Sequence, residues 1–147
     1  MLKKLFCSCD SEIDQKDILD LNLIVLYAAG NKKINNVNHM KETLNCGYNC
    51  GIDQNGISEL NLIHLNASDN KKIKNVNHLK KTQVARDGQK PCLLKILYCV
   101  NDSGIDQNGI AELNLIELYA GGNEKIKNVN HMKKTQVARD GHKSSAC

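Results

Sequence analysis

The chain has no tryptophan, and aromatic residues make up only 3% of its 147 residues. It also contains a single proline and only two arginines. Proteins that read or stack nucleic-acid bases rely on arginine and aromatic side chains, so their scarcity argues against a nucleic-acid partner. We therefore interpret the net charge of +4, which comes largely from paired lysines, as a solvated protein surface.

Long hydrophobic runs are also missing. No segment approaches the roughly 20 apolar residues that a membrane-spanning helix needs. The first nine residues, Met1 to Cys9, lack an apolar core long enough for a signal peptide. The sequence therefore predicts no membrane partner and a cytoplasmic location.

Signatures of catalysis are absent as well. There is no glycine-rich phosphate loop, no Cys-X-X-Cys pair and no grouping of Ser, His and Asp. The phrase Asp53-Gln-Asn-Gly56 resembles part of a calcium loop, but the acidic ligands that an EF-hand needs at its first and twelfth positions are missing. Since Asn-Gly favours turns, we interpret it as a turn. We predict that the protein is not an enzyme and has no catalytic residue, no cofactor and no metal site.

The chain does contain a sequence motif of about 21 residues that is repeated six times. We number repeats 1 to 6 by their anchor leucines, which are Leu5, Leu26, Leu44, Leu65, Leu97 and Leu118. The steps between anchors are 21, 18, 21, 32 and 21 residues. We interpret the irregular steps as three residues missing near Lys41–Thr43 and an insertion at Thr82–Cys92. A fixed period in this range predicts a stack of similar units.

Equivalent positions of the six repeats hold similar residues. A small Cys or Ala stands two residues after each anchor, and alternation around the anchor predicts a short strand with one buried face. Asn or Asp stands five residues after it, where an amide side chain can bond the turning backbone. Isoleucine always stands eight residues after it and predicts a continuous core. These last two columns are Asp10, Asn31, Asn49, Asn70, Asp102 and Asn123, and Ile13, Ile34, Ile52, Ile73, Ile105 and Ile126.

The consensus L-x-x-L-x-(C/A)-x-x-(N/D)-x-x-I resembles the leucine-rich repeat pattern over about 130 of the 147 residues. The resemblance implies an α/β repeat fold: a leucine-rich-repeat solenoid of about six coils, with parallel strands on the concave face and short 3-10 or irregular arcs on the convex face. The phrases Gly51–Ile57 and Asn36–Lys41 are also similar to those of uncharacterised repeat proteins of giant viruses of amoebae, which implies action in the host cytoplasm.

The repeats alternate in type, and this alternation makes a pair of repeats the true unit. Odd repeats continue with Ile-Asp-Gln, whereas even repeats carry Val-Asn-His. The histidines of the even repeats, His39, His78 and His131, are two strands or about 10 Å apart, too far to share a metal. We expect their rings to bond the backbone of the arcs. Cys7, Cys46 and Cys99 are equally far apart for disulfides and are predicted to be buried thiols, whereas Cys9, Cys50, Cys92 and Cys147 fall outside that column and leave surface chemistry open.

We predict one solenoid domain at residues 1–134, with a mobile inserted loop at 82–92, followed by a flexible tail at 135–147. The segment Lys80–Gly88 recurs as Lys133–Gly141, which indicates that a block was duplicated together with its tail. Solenoids usually end in polar capping units. None is evident in the sequence, so we expect the terminal coils to be uncapped.

The exposed strand positions indicate function best. Four of the five aromatic residues fall in the column one residue after the anchor. Tyrosine is favoured at interfaces, although it also suits strands. We predict a non-catalytic protein-binding scaffold whose concave face holds Phe6, Tyr27, Asn45, His64, Asn66, Tyr98, Glu117 and Tyr119. The alternative is a structural or assembly element that self-associates through its uncapped terminal coils.

Overall fold

Six short strands, one from each repeat, form a single parallel sheet in the computed structural model, which describes residues 2–80, 93–132, 136–139 and 142–145. The strands are β1 (Lys4–Phe6), β2 (Val25–Tyr27), β3 (Thr43–Asn45), β4 (His64–Asn66), β5 (Ile96–Tyr98) and β6 (Glu117–Tyr119). Their pairing places the six anchor leucines in one row. The predicted repetition of parallel strands is confirmed, while the loop predicted at 82–92 lies outside the described residues.

Each strand leads into an arc that carries the chain to the next strand. The arcs of the odd repeats contain one helical turn each: α1 (Gln15–Ile18), η1 (Asn55–Ile57) and η3 (Asn108–Ile110), the last two being 3-10 turns. Repeat 4 has a 3-10 turn, η2 (Asn77–Lys80). Asp53 starts η1, because its Oδ1 accepts hydrogen bonds from the N–H groups of Asn55 at 2.9 Å and Gly56 at 3.0 Å. The turn predicted at Asp53-Gln-Asn-Gly56 is confirmed.

Aliphatic side chains fill the space between the sheet and the arcs. The isoleucine column is buried from repeat 2 to repeat 6, and Ile13 of repeat 1 packs against the same core. Cys7, Cys46 and Cys99 are buried free thiols, as predicted. Burial raises the pKa of Cys99 to about 12, which makes it a poor nucleophile.

The 18-residue step proves to be a complete even repeat. Met40 and Leu79 close equivalent turns, since their N–H groups bond the carbonyls of Val37 and Val76 at 2.9 and 3.0 Å. Thr43 then begins β3 directly. Its N–H donates to the Ile24 carbonyl, just as the N–H of Ile96 donates to the Ile63 carbonyl. The prediction of three residues missing near Lys41–Thr43 is therefore wrong: repeat 2 is complete, and the odd repeats are the longer of the two types.

The sheet continues beyond repeat 6. Strand β7 (Gln136–Arg139) pairs parallel with β6, and β8 (His142–Ser145) pairs antiparallel with β7. The segment that we predicted as a flexible tail thus contributes two strands. The antiparallel pairing ends the parallel stacking that the six repeats share.

Candidate binding face and the amide clamps beneath it

One buried asparagine joins each even repeat to the odd repeat before it. Asn70 is fully buried, and its Nδ2 donates to the carbonyls of Cys46 at 2.8 Å and Ile52 at 3.1 Å. Its Oδ1 accepts from the N–H of Lys72 at 3.0 Å. Asn31 and Asn123 make the same three bonds in their own pairs. We call each of these an amide clamp.

The odd repeats do not use their own member of this column, so the expectation that an amide at this position bonds the turning backbone holds for the even repeats only. Asn49 is exposed, with its backbone in the left-handed region at φ 51°. The odd turn holds one extra residue, so the next residue enters the core instead. This places Cys50 and Ser103 at fully buried positions. Cys50 falls outside the column of Cys7, Cys46 and Cys99 as predicted, but it is buried, so the surface chemistry left open does not apply to it. Asp10 and Asp102 stay in solvent, where a carboxylate costs little.

A second set of amides joins the arcs. Gln54 accepts from the N–H groups of Lys74 and Asn75 at 3.0 Å each and donates to the Asn75 carbonyl at 2.8 Å. Gln15 and Gln107 repeat this pattern. A further amide joins an even repeat to the odd repeat that follows it: Asn38 donates to the Asn55 carbonyl and accepts from the Glu59 N–H. The motifs that resembled functional signatures therefore fix the register of the stack.

The motif histidines also bond the arcs. His78 Nε2 lies 2.9 Å from the Ile57 carbonyl oxygen, and His131 Nε2 lies 3.3 Å from that of Ile110. A carbonyl oxygen only accepts, so Nε2 carries the proton. The predicted backbone role is confirmed for these two residues. His39 differs, because its buried Nε2 has no hydrogen-bond partner among the described residues.

This difference predicts opposite effects of one substitution. His39→Leu is expected to raise the free energy of unfolding by about 1 kcal/mol, because it removes a buried polar atom that is not bonded. His78→Leu is expected to lower it by about 1 kcal/mol, because the Ile57 carbonyl loses one of its two hydrogen bonds and keeps only the one from the Leu60 N–H. Urea unfolding of both variants measures the two changes. Equal destabilisation by both would contradict the structure's distinction between them.

The strand face carries two stacked pairs of aromatic rings. Phe6 and Tyr27 have ring centroids 4.7 Å apart at an angle of 3°. Tyr98 and Tyr119 have centroids 4.2 Å apart at 2°. The Tyr119 hydroxyl donates to Glu117 Oε2 at 2.6 Å, and this hydrogen bond raises the pKa of Tyr119. Both pairs thus present flat, oriented rings.

A groove of about 280 Å³ separates the two ring pairs. It is lined by Tyr27, Thr43, Leu44, Asn45, His64, Leu65, Asn66, Ile96 and Tyr98. The structure therefore brings five of the eight predicted face residues together, while Phe6, Glu117 and Tyr119 stand on its flanks. Our prediction did not include Thr43 and Ile96, although they occupy the same column as His64.

The N-terminal end of the stack differs from the interior in two residues. A Cβ atom at Gly56 would overlap the carbonyl oxygen of Asn35 in the repeat before it, and one at Gly51 would overlap that of Ile34. Repeat 1 has Asp17 and Glu12 at these two positions, and both are exposed. Another even repeat therefore cannot stack against repeat 1 in the register used elsewhere. This geometry does not favour self-association through the N-terminal coil.

Comparison with known proteins returned no match: no family model, curated protein or solved structure aligns with the chain at a significant level. Within the described ranges, no three His, Cys, Asp or Glu side chains lie close enough to hold a metal ion. The helical turns found in those ranges are all too short to cross a bilayer.

Proposed function

We propose that the chain is a leucine-rich-repeat solenoid and that its strand face, which is concave in that fold, is a non-catalytic protein-binding surface. The observation that carries this proposal is the placement of the aromatic residues. The buried core of the described residues contains aliphatic, Met and Cys side chains and no aromatic ring, whereas Phe6 is 69% exposed on the strand face. Aromatic side chains supply much of the binding energy at protein interfaces.

The geometry of the face supports the same function. Stacked rings have little conformational freedom left to lose on binding, which lowers the entropic cost of association. Asn45 and Asn66 turn their Oδ1 atoms to the N–H groups of Gly47 and Ser68. Their Nδ2 groups have no acceptor within the described part of the chain and can donate to a partner.

The test is affinity capture with the immobilised chain and its variants. The triple substitution of Tyr27, Tyr98 and Tyr119 with alanine is expected to reduce the amount of captured partner at least tenfold, because it removes the ring contacts while leaving the core intact. Far-ultraviolet circular dichroism checks that the fold is unchanged.

Tyr48→Ala is the matched control, since Tyr48 is 65% exposed but lies outside the ring column. It is expected to retain capture. A partner that still binds the triple variant, or that Tyr48→Ala releases, would place the binding surface elsewhere on the molecule.

A further inference from the structure

The ring column of the strand face has a gap of defined size. Along the sheet, the position after each anchor reads ring, ring, Asn, Asn, ring, ring, from Phe6 in repeat 1 to Tyr119 in repeat 6. Neighbouring strands are about 4.8 Å apart, and the stacked rings are 4.2 and 4.7 Å apart. The two asparagine positions therefore leave room for two more rings in the same column.

We propose that this gap holds the Tyr98–Tyr119 pair of a second copy of the chain, in a symmetric dimer. This inference rests on the proposed function of the strand face and names its partner. A two-fold axis along the strands would set repeat 3 opposite repeat 6 of the partner, and repeat 4 opposite repeat 5. Each copy then fills the gap of the other, and the two columns merge into one continuous stack of aromatic rings. Such self-complementarity is what a two-fold interface requires.

The dimensions of the face allow this arrangement. Two sheets that pack face to face lie about 10 Å apart, and rings from both copies would share a single layer between them. The partner's Tyr119 hydroxyl would reach Asn45, and its Tyr98 hydroxyl would reach Asn66. A tyrosine hydroxyl that donates to a carboxylate can still accept, so the free Nδ2 group of Asn45 gains a partner.

Charge selects this register over the other one that the pattern permits. Inserting the Phe6–Tyr27 pair into the gap would set Lys4 opposite the partner's His64, where neither side chain is acidic. Inserting the Tyr98–Tyr119 pair sets the carboxylate of Glu117 opposite the partner's Thr43 and beside His64. A hydrogen-bond donor and an imidazole suit a carboxylate, which favours the second arrangement.

Repeats 3 to 6 of each copy face one another in this dimer, and repeats 2 and 1 face β7 and β8 of the other copy. Because the strands are only three or four residues long, the interface is narrow and belongs to the small, transient class. We expect reversible association with a dissociation constant on the order of 10–100 µM. Sedimentation equilibrium from about 5 to about 500 µM covers this range. The average mass of the natural chain is expected to rise from one chain towards two across the series.

Two double variants test the geometry. Tyr98→Ala with Tyr119→Ala removes the inserted rings but leaves the gap open. Asn45→Tyr with Asn66→Tyr fills the gap with the chain's own rings but keeps the pair that inserts. Each variant alone is expected to remain monomeric at every concentration. An equimolar mixture is expected to form a heterodimer, because the open gap of the first variant receives the rings of the second.

The outcomes separate this inference from the function on which it rests. Recovery of dimer in the mixture supports it, and dimerisation of either double variant alone overturns it. A natural chain that stays monomeric also overturns it. If that monomer captures a different protein or an oligonucleotide through the same rings, the second copy is the wrong occupant. In the case of a captured protein, the proposed function survives; a monomer whose rings capture nothing removes both proposals.

Discussion

Asn70→Ala is expected to lower the free energy of unfolding by roughly 3–5 kcal/mol. Alanine removes three hydrogen bonds at a fully buried site, those to Cys46, Ile52 and Lys72. Buried backbone groups that lose their partners cost about 1–3 kcal/mol each. Domains are stable by only about 5–15 kcal/mol in total, so this variant should unfold at a clearly lower urea concentration.

Asn49→Gly provides the control for this prediction. Asn49 belongs to the same sequence column but is exposed at φ 51°, a conformation that glycine adopts readily. We expect a change of no more than about 0.5 kcal/mol. If Asn49→Gly were as destabilising as Asn70→Ala, the assignment of the clamps to the even repeats would fail.

Gly56→Ala is expected to destabilise the fold by about 2–4 kcal/mol. The added methyl group would overlap the carbonyl oxygen of Asn35, which is backbone of the neighbouring repeat and cannot turn away as a side chain could. Relief requires repeats 2 and 3 to separate, and overpacking of this kind typically costs about 1–3 kcal/mol or more. The expected loss exceeds the gain of up to about 1 kcal/mol that alanine brings to a helical turn.

The adjacent residue supplies the comparison. Asn55→Ala alters the same 3-10 turn, but the Asn55 side chain is exposed. Thermal and urea unfolding of the two variants should differ by at least about 2 kcal/mol. Equal stabilities would mean that the two repeats are not in the tight contact that the structure shows.

The sequence predicts the strand register and the core well, because both rest on residues that recur at fixed distances from the anchor. Leucine and isoleucine are costly to expose, so their columns report burial directly. The face residues follow from the same count, since successive side chains of a strand alternate between its two sides. Even with unequal steps of 18 and 32 residues, the anchors stay paired.

Prediction from the sequence fails where one extra residue in a turn shifts the residues that follow it relative to the anchor leucine. Asn49 and Asn70 stand at the same distance from their anchors, yet one is exposed and the other is fully buried. The odd turn holds one more residue: Tyr48 and Asn49 both have positive φ, whereas in the turn before Asn70 only Asp69 does. Asparagine suits both a left-handed turn and a buried clamp, so its identity does not distinguish them.

The pairing of rings was also beyond the sequence. The column of aromatic residues is visible in the chain, but ring orientation depends on side-chain torsions. Tyr98 and Tyr119 lie 2° from parallel, and Glu117 fixes one of the two by a bond to its hydroxyl. The glycine contacts likewise required coordinates, because Gly51 and Gly56 look like ordinary turn residues until the neighbouring backbone is placed beside them.

Because the amide clamps occur within pairs of repeats and not between them, a chain of this design can change its length only by whole pairs of repeats. Loss of repeat 4, for example, would remove the arc that Gln54 bonds and the buried amide of Asn70, and the carbonyls of Cys46 and Ile52 would lose that donor. Genetic exchange that moves a complete pair preserves every bond. The near-identical segments 51–88 and 104–141 are separated by the same 53 residues as Leu44 and Leu97, which is one pair of repeats, as expected of a gene that grew by copying the smallest piece able to fold against its neighbours.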